Sequence, residues 1–287
     1  MATHLQFSAP ISGQSRSIPS CLLDLAAACM FSPILDRSRS RFSVLGSREA
    51  GYILRSIQGY LPVSIGVIIP ALNAAPFIPA LLAEIHQLHS EYRILVVDDG
   101  SSDRTGEVAR AAGAEVIRHP VNRGKGAALD TGHHWALATG HEWVYTMDAD
   151  GQHLPNEMQQ FLTEAVKKQW DVVVGTRMAD TSDMPWIREA TNKFTSHVIS
   201  LLAGCTIPDS QSGYRLFRTA CLEGLKLRTK RYDTESEVLV RLAWKGHRIG
   251  SVPISTVYGE EKSSIRPLQD TGRFFRLVFW LSVDRFS

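Results

Sequence analysis

The chain has 287 residues, of which 21% are charged, and its net charge of +2 gives no field that would attract nucleic acid. Its four cysteines, spread over a chain of this length, favour free thiols in a reducing compartment over a disulfide framework. No apolar run reaches the roughly 20 residues that a membrane-spanning helix needs. Because free thiols indicate a reducing compartment, we expect a cytoplasmic protein.

Residues 1–60 differ in composition from the rest of the chain. They are rich in Ser and Arg and contain only three acidic residues, Asp24, Asp36 and Glu49. This composition is typical of an organelle transit peptide, but also of a disordered extension or of a start codon assigned too far upstream. Because the segment has little amphipathic character, we favour a disordered N-terminal extension.

From Val63 onward, strand patterns alternate with helical patterns. Strands are predicted at 65–70, 92–97, 116–119, 143–147 and 172–175. Helices are predicted at 77–89 and 157–168, with one further helix ending at Ala112 and another that follows residues 122–126 and reaches Leu137. Such alternation predicts right-handed crossovers and a mostly parallel α/β sheet flanked by helices, in a single domain over residues 61–272. Ligands of such sheets bind beyond the carboxyl ends of the strands.

The second half of the chain is less regular. We predict a helix at 186–202, a polar loop at 209–214 that enters a short strand, a helix at 235–244 and an edge strand at 249–254. The tail, residues 273–287, mixes aromatic residues with arginines. This amphipathic composition fits a segment that lies in a membrane interface and fits a docked helix equally well.

The strongest chemical signal lies in residues 143–153. An apolar strand pattern ends there in Asp148-Ala149-Asp150, and Gly151 permits a tight turn. Two carboxylates at the end of a buried strand repel each other, and a divalent cation would remove that conflict. Mg²⁺ and Mn²⁺ favour carboxylate, water and phosphate oxygens, so Asp148 and Asp150 are candidate metal ligands. An ordinary Asp-rich turn is the alternative.

Further polar residues follow the other predicted strands. Asp98 and Asp99 end a strand, and since a later residue can cap the next helix, both carboxylates are left free to bind a base or a ribose. Residues 122–126, Asn-Arg-Gly-Lys-Gly, offer flexible backbone and a cation at a helix N-terminus, which suits a phosphate. Arg177 and Arg188 could hold a second anion, although most arginines are simply solvated.

These segments form an ordered set of motifs. They read IPALN from Ile69, VDDGSSDRT from Val97, NRGKG from Asn122, MDADGQ from Met147, GTR from Gly175, DSQSGYRLF from Asp209 and VPI from Val252. The set resembles the family 2 inverting glycosyltransferases with the GT-A fold, and within them the dolichol-phosphate mannosyltransferase-like branch. The resemblance extends over residues 63–273, nearly the whole chain after the extension.

The resemblance implies one catalytic GT-A domain, a GDP- or UDP-sugar donor and Mn²⁺ or Mg²⁺. It implies metal contacts from Asp148, Asp150 and Gln152, and catalytic roles for Asp150, Arg215 and Glu237. The residues that it implies for donor and acceptor binding are Pro70, Asn73, Asp98, Asp99, Lys125, Asp148, Ala149, Arg177, Arg188, Gln211 and Lys262. Leu72 and Ala74 stand where relatives often carry Tyr and Glu, which leaves the choice between GDP and UDP open.

The implied acceptor is a polyprenyl (dolichyl-type) phosphate, met by a peripheral protein at the cytoplasmic face of a membrane. An anionic lipid phosphate needs no general base, whereas a hydroxyl acceptor would, and Glu237 is the candidate base for that alternative. A non-catalytic nucleotide-sugar-binding module is a second alternative, against which the intact Asp148 and Asp150 argue. A nucleotidyltransferase would need a Gly-rich loop after the first strand, and residues 70–73 are not one.

Overall fold

The computed structural model of the chain describes residues 63–178, 186–255 and 267–286, so the expected extension 1–60 and Lys262 lie outside the described residues. Its strands are β1 (Ile65–Ala71), β2 (Arg93–Asp98), β3 (Glu115–Arg118), β4 (Trp143–Thr146), β5 (Val172–Thr176), β6 (Arg215–Arg218) and β7 (Ile249–Pro253). Its α-helices are α1 (Ile78–Leu88), α2 (Thr105–Ala111), α3 (Lys125–Thr139), α4 (Met158–Lys168), α5 (Trp186–Ala203), α6 (Asp233–Trp244) and α7 (Pro267–Phe286). Short 3₁₀ helices cover Pro155–Glu157 and Thr219–Leu222.

The described strands form one sheet in the order β3-β2-β1-β4-β6-β5-β7. All neighbouring pairs are parallel except those of β6, which runs antiparallel to β4 and β5. The predicted mostly parallel sheet is confirmed, as is the edge position of β7. Because β6 runs backwards, its first residue, Arg215, pairs with Thr146 of β4 and Val174 of β5 near their carboxyl ends. The loop before β6 therefore joins the loops that follow the parallel strands.

Helices cover both faces of the sheet and enclose two apolar cores. Val67 and Ile69 of β1 pack into the core shared with α1, α2 and α4, whereas Ile68 packs into the core shared with α3, α5, α6 and α7. A strand that is covered on both faces has no solvated side. This explains why β1 and β2 are continuous apolar runs in the sequence and why their prediction from the sequence succeeds.

The C-terminal tail forms a helix, α7, with two apolar faces. Leu277 and Leu281 are buried in the second core, and Asp284 accepts a hydrogen bond of 2.9 Å from Arg241 of α6. In the structure the tail is thus a helix that docks on the second core. A second face, with Phe275 and Phe279, is exposed to solvent. Within the described ranges, none of the helices combines the length and the apolar character that crossing a membrane requires.

The docking of α7 can be tested with Leu281→Ala. Because Leu281 is fully buried, the truncation should lower the free energy of unfolding by about 2–5 kcal/mol, measured by urea denaturation. Val283→Ala, on the exposed face of the same helix, is the matched control and should change it by less than about 0.5 kcal/mol. Equal effects of the two substitutions would show that α7 does not pack as described.

Candidate functional site

At the carboxyl edge of the sheet, the ammonium group of Lys125 binds two carboxylates. Its Nζ lies 2.6 Å from Asp148 Oδ1 and 2.9 Å from Glu235 Oε1. Lys125 is the first residue of α3, Asp148 follows β4, and Glu235 lies in the first turn of α6. The side chain of Glu235 is 5% exposed and that of Asp148 is 28% exposed. The cluster is thus closed on the Glu235 side and reachable from solvent at Asp148.

The charges of this cluster keep one another ionised. Burial by itself favours the neutral form of Asp148, but the neighbouring Lys125 outweighs it, and the pKa of the carboxyl falls to about 2. Burial also disfavours the ammonium form of Lys125, yet Asp148 and Glu235 raise its pKa above the usual range. A carboxylate that stays ionised at neutral pH and is partly open to solvent can bind a cation.

His153 supports the backbone of Asp148. The Asp148 N–H donates a hydrogen bond of 3.2 Å to His153 Nδ1. Burial lowers the pKa of His153 to about 4, so its ring is neutral and Nδ1 can act as the acceptor. The ring stacks on Tyr214 at a centroid distance of 5.0 Å, which couples this turn to the loop before β6. Nothing in the local sequence pattern singles out this histidine.

Asp150 and Gln152 continue the turn that starts at Asp148. Asp150 Oδ1 accepts the Gln152 backbone N–H at 3.0 Å, and both side chains are half-buried. Together with Asp148 they offer carboxylate and amide oxygens, the donor set that Mg²⁺ and Mn²⁺ prefer. Gly213 closes the other side, since a Cβ there would lie 2.7 Å from Asp148 Oδ1. The residues present therefore fit a hard divalent cation, and Gly213 keeps room for the carboxylate.

Arg177 is held by a buried carboxylate. Its Nε and Nη2 donate to the two oxygens of Asp209 at 2.8 and 3.0 Å, and Asp209 is fully buried. Burial works against the charged form of Arg177, but the bonds to Asp209 and the nearby Asp148 and Glu235 raise the pKa of the guanidinium. Arg177 therefore adds positive charge beside the site, while two of its nitrogens are committed to fixing the loop before β6.

Arg215 is 2% exposed, and its guanidinium donates to three backbone carbonyls. These belong to Ser212, Ser210 and Glu235, at 2.7, 2.9 and 2.6 Å. The side chain therefore ties the loop before β6 to the first turn of α6. This geometry gives Arg215 a positioning role, and the expected catalytic role at the reaction centre is not supported.

Asp98 and Asp99 are not free, contrary to the sequence-based prediction. Asp98 is fully buried and accepts a hydrogen bond of 2.9 Å from Arg118 Nη1. Asp99 is 3% exposed and accepts the backbone N–H groups of Arg123 and Gly124 at 2.9 and 2.7 Å. Asp99 therefore shapes the loop that leads into α3, whereas Asp98 joins the end of β2 to the end of β3. The expectation that both carboxylates are free considered only helix capping and not donors from β3 and from a later loop.

The glycines of residues 122–126, which were expected to give a flexible loop for a phosphate, pack closely against the chain before α6. A Cβ at Gly124 would lie 2.4 Å from the carbonyl oxygen of Lys230, and one at Gly126 would lie 1.9 Å from Thr234 Oγ1. The Ala127 N–H, in the first turn of α3, donates to that same Lys230 carbonyl at 3.2 Å. The glycines therefore allow close packing against the chain before α6, and only the Lys125 side chain reaches into the site.

The remaining expected binding residues lie around this edge. Asn73 has a φ of 53° and accepts the Ser102 backbone N–H at 2.8 Å, which joins the loops after β1 and β2. Pro70 is buried within β1, and Ala149 is 7% exposed between the two aspartates. Gln211 is exposed and donates to a threonine of α5 at 3.2 Å. Asn73 therefore organises the loops after β1 and β2, whereas Pro70 has a packing role.

Glu237 is fully buried. It accepts the backbone N–H groups of Arg228 and Thr229 at 3.0 and 2.9 Å, and Arg241 Nε at 2.6 Å. Burial alone would raise its pKa, but these bonds hold the pKa below the usual range. Glu237 therefore anchors the turn before α6, and the expected general-base role is not supported. Glu235 is the acidic residue of α6 that faces the site.

Arg188, in the first turn of α5, is the other expected anion-binding residue. Its side chain is half-buried. Across the part of the chain that the structure describes, it makes no hydrogen bond or ion pair. Its guanidinium is therefore available to a ligand in a way that those of Arg177 and Arg215 are not.

Comparison with known proteins identifies several relatives. The model of the family described as "Glycosyl transferase family 2" matches residues 66–225. A UDP-N-acetylglucosamine–dolichyl-phosphate N-acetylglucosaminyltransferase of Methanococcus voltae is 34% identical over 216 residues, which are 68% of this chain and 86% of that protein. The polyprenol monophosphomannose synthase of Mycolicibacterium smegmatis is 32% identical over 230 residues, which are 74% of this chain and 84% of that protein.

A solved structure confirms the fold. Glucosyl-3-phosphoglycerate synthase of Mycobacterium tuberculosis, crystallised with Mn²⁺, UDP and phosphoglyceric acid, aligns with a TM-score of 0.62 at 20% identity. The alignment covers 87% of this chain and 84% of that chain. At this identity the likeness concerns the fold alone, and it confirms the predicted GT-A architecture.

The contact between Gly213 and Asp148 generates a prediction. Gly213→Ala would force the Asp148 carboxylate away from its position, and overpacking of this kind should lower the free energy of unfolding by about 1–3 kcal/mol. The matched control is Gly272→Ala in α7, where a Cβ would meet nothing within 4 Å. The control should be neutral or slightly stabilising in urea denaturation. A Gly213→Ala protein as stable as the control would contradict the described packing.

Proposed function

The chain belongs to glycosyl transferase family 2, in the branch that resembles the dolichol-phosphate mannosyltransferases, and from that premise we propose that it transfers a sugar from a nucleotide-sugar to a polyprenyl phosphate with the help of a divalent metal. Membership of the family makes the chain a glycosyltransferase. The observation that carries the proposal is the cluster of Lys125, Asp148 and Glu235, with Asp150 and Gln152 beside it.

The donor diphosphate is proposed to lie at this cluster. Breaking the bond between sugar and phosphate leaves a nucleoside diphosphate with growing negative charge, so cations fixed beside it lower the energy of the transition state more than that of the ground state. Asp148, Asp150 and Gln152 would hold the metal, which when bound stabilises charge on the leaving group. Lys125 and Arg177 place further positive charge next to Asp148.

The lipid-phosphate acceptor is supported by the relatives' names and by the state of the acidic residues. Dolichyl phosphate and polyprenol stand in the names of the two relatives above. An acceptor phosphate is already anionic, so the reaction needs no general base. This agrees with Glu237 being held by backbone N–H groups and with Glu235 being paired to Lys125. Arg188 is our candidate for binding the acceptor phosphate through charge-assisted hydrogen bonds.

A membrane surface is the proposed place where the lipid is met. The helices α5 and α7 pack against each other and expose large apolar side chains, which form the apolar face: Trp186, Ile187, Phe194, Leu201, Phe275, Phe279 and Val283. Such a set of exposed side chains is unusual for a protein surface that contacts only water. Arg276 and Arg285 are exposed on α7, so the face can combine apolar insertion with attraction to anionic lipids. Arg188 follows Trp186 and Ile187 directly, which puts the acceptor contact next to this face.

The proposed acceptor contact can be tested with Arg188→Ala. The kcat/KM for transfer to a short-chain polyprenyl phosphate should fall, because a hydrogen bond to a charged group is lost. The loss corresponds to about 1.5–3 kcal/mol of transition-state stabilisation. Donor binding, measured by calorimetry with UDP- and GDP-sugars, should stay unchanged. Lys168→Ala, on α4 at the other face of the sheet, is the control and should leave both unchanged. Arg177 is less suitable for this test, because its removal leaves the buried Asp209 without its cation.

Two results would overturn parts of the proposal. If Arg188→Ala weakened donor binding as much as transfer, Arg188 would belong to the donor site. Transfer to a soluble sugar hydroxyl with none to the lipid phosphate would make the acceptor assignment wrong and make Glu235 the candidate base.

The proposed metal site is tested by Asp150→Asn, which should abolish transfer with the fold intact because a metal ligand is lost. Wild-type activity of this variant in Mn²⁺ would refute the metal site.

The proposed membrane contact of the apolar face can also be tested. Phe279→Ser should weaken binding to vesicles that contain anionic lipid by about 1.5–3 kcal/mol, the scale for burying one large apolar side chain. Val166→Ser is the control, because Val166 is 48% exposed on α4, remote from α5 and α7. Sedimentation with vesicles measures both. Equal binding of the two variants would show that the apolar face does not contact the bilayer.

A further inference from the structure

Three side chains of different chemistry converge at the edge of the sheet opposite the candidate active site. Asp171 precedes β5, Cys221 lies in the 3₁₀ helix after β6, and His247 precedes β7. They meet because β6 is antiparallel, so the chain leaves β6 at the edge where β5 and β7 begin. One potential ligand atom from each of the three lies within 4.8 Å of the others.

The spacing of these atoms suits a tetrahedral metal ion. His247 Nδ1 lies 3.8 Å from Asp171 Oδ2. With Zn–S near 2.3 Å and Zn–N or Zn–O near 2.0–2.1 Å, tetrahedral ligand atoms stand about 3.3–3.6 Å apart, so small side-chain movements would close the site. Cys221 is 2% exposed, whereas the side chains of His247 and Asp171 are 29% and 26% exposed. The sulfur thus lies on the inner side, and the outer side leaves room for entry and for a water ligand.

The surroundings of Asp171 already fix its carboxylate. Its Oδ2 accepts the Arg248 backbone N–H at 2.9 Å, and its Oδ1 lies 3.4 Å from Arg218 Nε. Partners of this kind orient ligating carboxylates in metal sites. A divalent ion with one thiolate, one carboxylate and one neutral imidazole has no net charge, so the Arg218 guanidinium would not repel the occupied site.

The chemistry of Cys221 argues against a nucleophilic role. Burial and the neighbouring Asp171 raise the pKa of the thiol to about 11, so without a metal it is protonated. A reactive cysteine needs a lowered pKa and access to a substrate. A metal ion, by contrast, can displace the thiol proton, which passes to solvent as the metal–sulfur bond forms.

We propose that Asp171, Cys221 and His247 bind one zinc-type divalent cation, with water as the fourth ligand. A thiolate and an imidazole select such an ion over Mg²⁺, which prefers oxygen ligands and belongs at Asp148. The bound ion would connect the starts of β5 and β7 to the segment after β6, so its occupancy would stabilise the fold by mass action. The site is structural and independent of sugar transfer.

Cobalt titration of the full-length chain tests this site, because a Co²⁺–thiolate bond gives a charge-transfer absorption band that oxygen ligands do not give. The band should saturate at one equivalent of Co²⁺ and disappear when Zn²⁺ is added. Cys221→Ser should abolish it, whereas Cys205→Ser, which removes the other cysteine among the described residues, should retain it. Absence of the band in the wild-type chain, or its persistence in Cys221→Ser, would overturn the proposal.

A second variant keeps the test decisive should Cys221→Ser fold poorly. His247 is partly exposed, so His247→Gln should fold, and it should weaken Zn²⁺ binding at least tenfold in a thermal-shift titration. Asp150→Asn should leave the Zn²⁺-induced shift of the melting temperature unchanged, since the carboxylate site lies at the other edge of the sheet. An unchanged Zn²⁺ affinity in His247→Gln, or loss of the shift in Asp150→Asn, would refute the site.

Discussion

The ion pairs of Lys125 are the interaction on which the organisation of the site depends. One ammonium group pairs with both Asp148 and Glu235, which would otherwise be two carboxylates without a shared cation at a poorly solvated edge. Removing one partner of a buried charge cluster leaves uncompensated charge and typically costs about 3–5 kcal/mol. The start of α3, the loop after β4 and the start of α6 are therefore held together by charge, whereas the sheet beneath them is held together by apolar packing.

The contacts extend outward from this cluster in a definite order. The main chain of Glu235 is tied by Arg215 to the loop before β6, and that loop presents Gly213 to Asp148 and Asp209 to Arg177. Asp99 shapes the loop that delivers Lys125. The polar groups of the site are thus held in place by contacts within the protein. Such preorganisation is what a glycosyltransferase needs to stabilise a leaving diphosphate without rearranging at the moment of reaction.

The sequence predicted the sheet well, because its strands follow from local patterns. Strands covered on both faces are apolar runs, and Asp148 and Asp150 stand out directly after one. The individual roles were harder to predict, since they depend on partners far away in the chain. Asp98 binds Arg118 of β3, Asp99 binds backbone donors from the loop before α3, and Glu235 in place of Glu237 pairs with Lys125 of α3. Helical periodicity places those two glutamates on different sides of α6, but it does not show which of them pairs with Lys125.

The central claim is that Asp148 and Asp150 hold a divalent metal together with a nucleoside diphosphate. Titration of Mn²⁺ into the full-length chain, followed by electron paramagnetic resonance with and without UDP or GDP, measures this most directly. A Cys221→Ser background removes the thiol at the opposite edge. We expect one Mn²⁺ per chain, bound more tightly when the diphosphate is present and lost in Asp148→Asn. Mn²⁺ binding that is indifferent to the diphosphate and survives Asp148→Asn would contradict the claim.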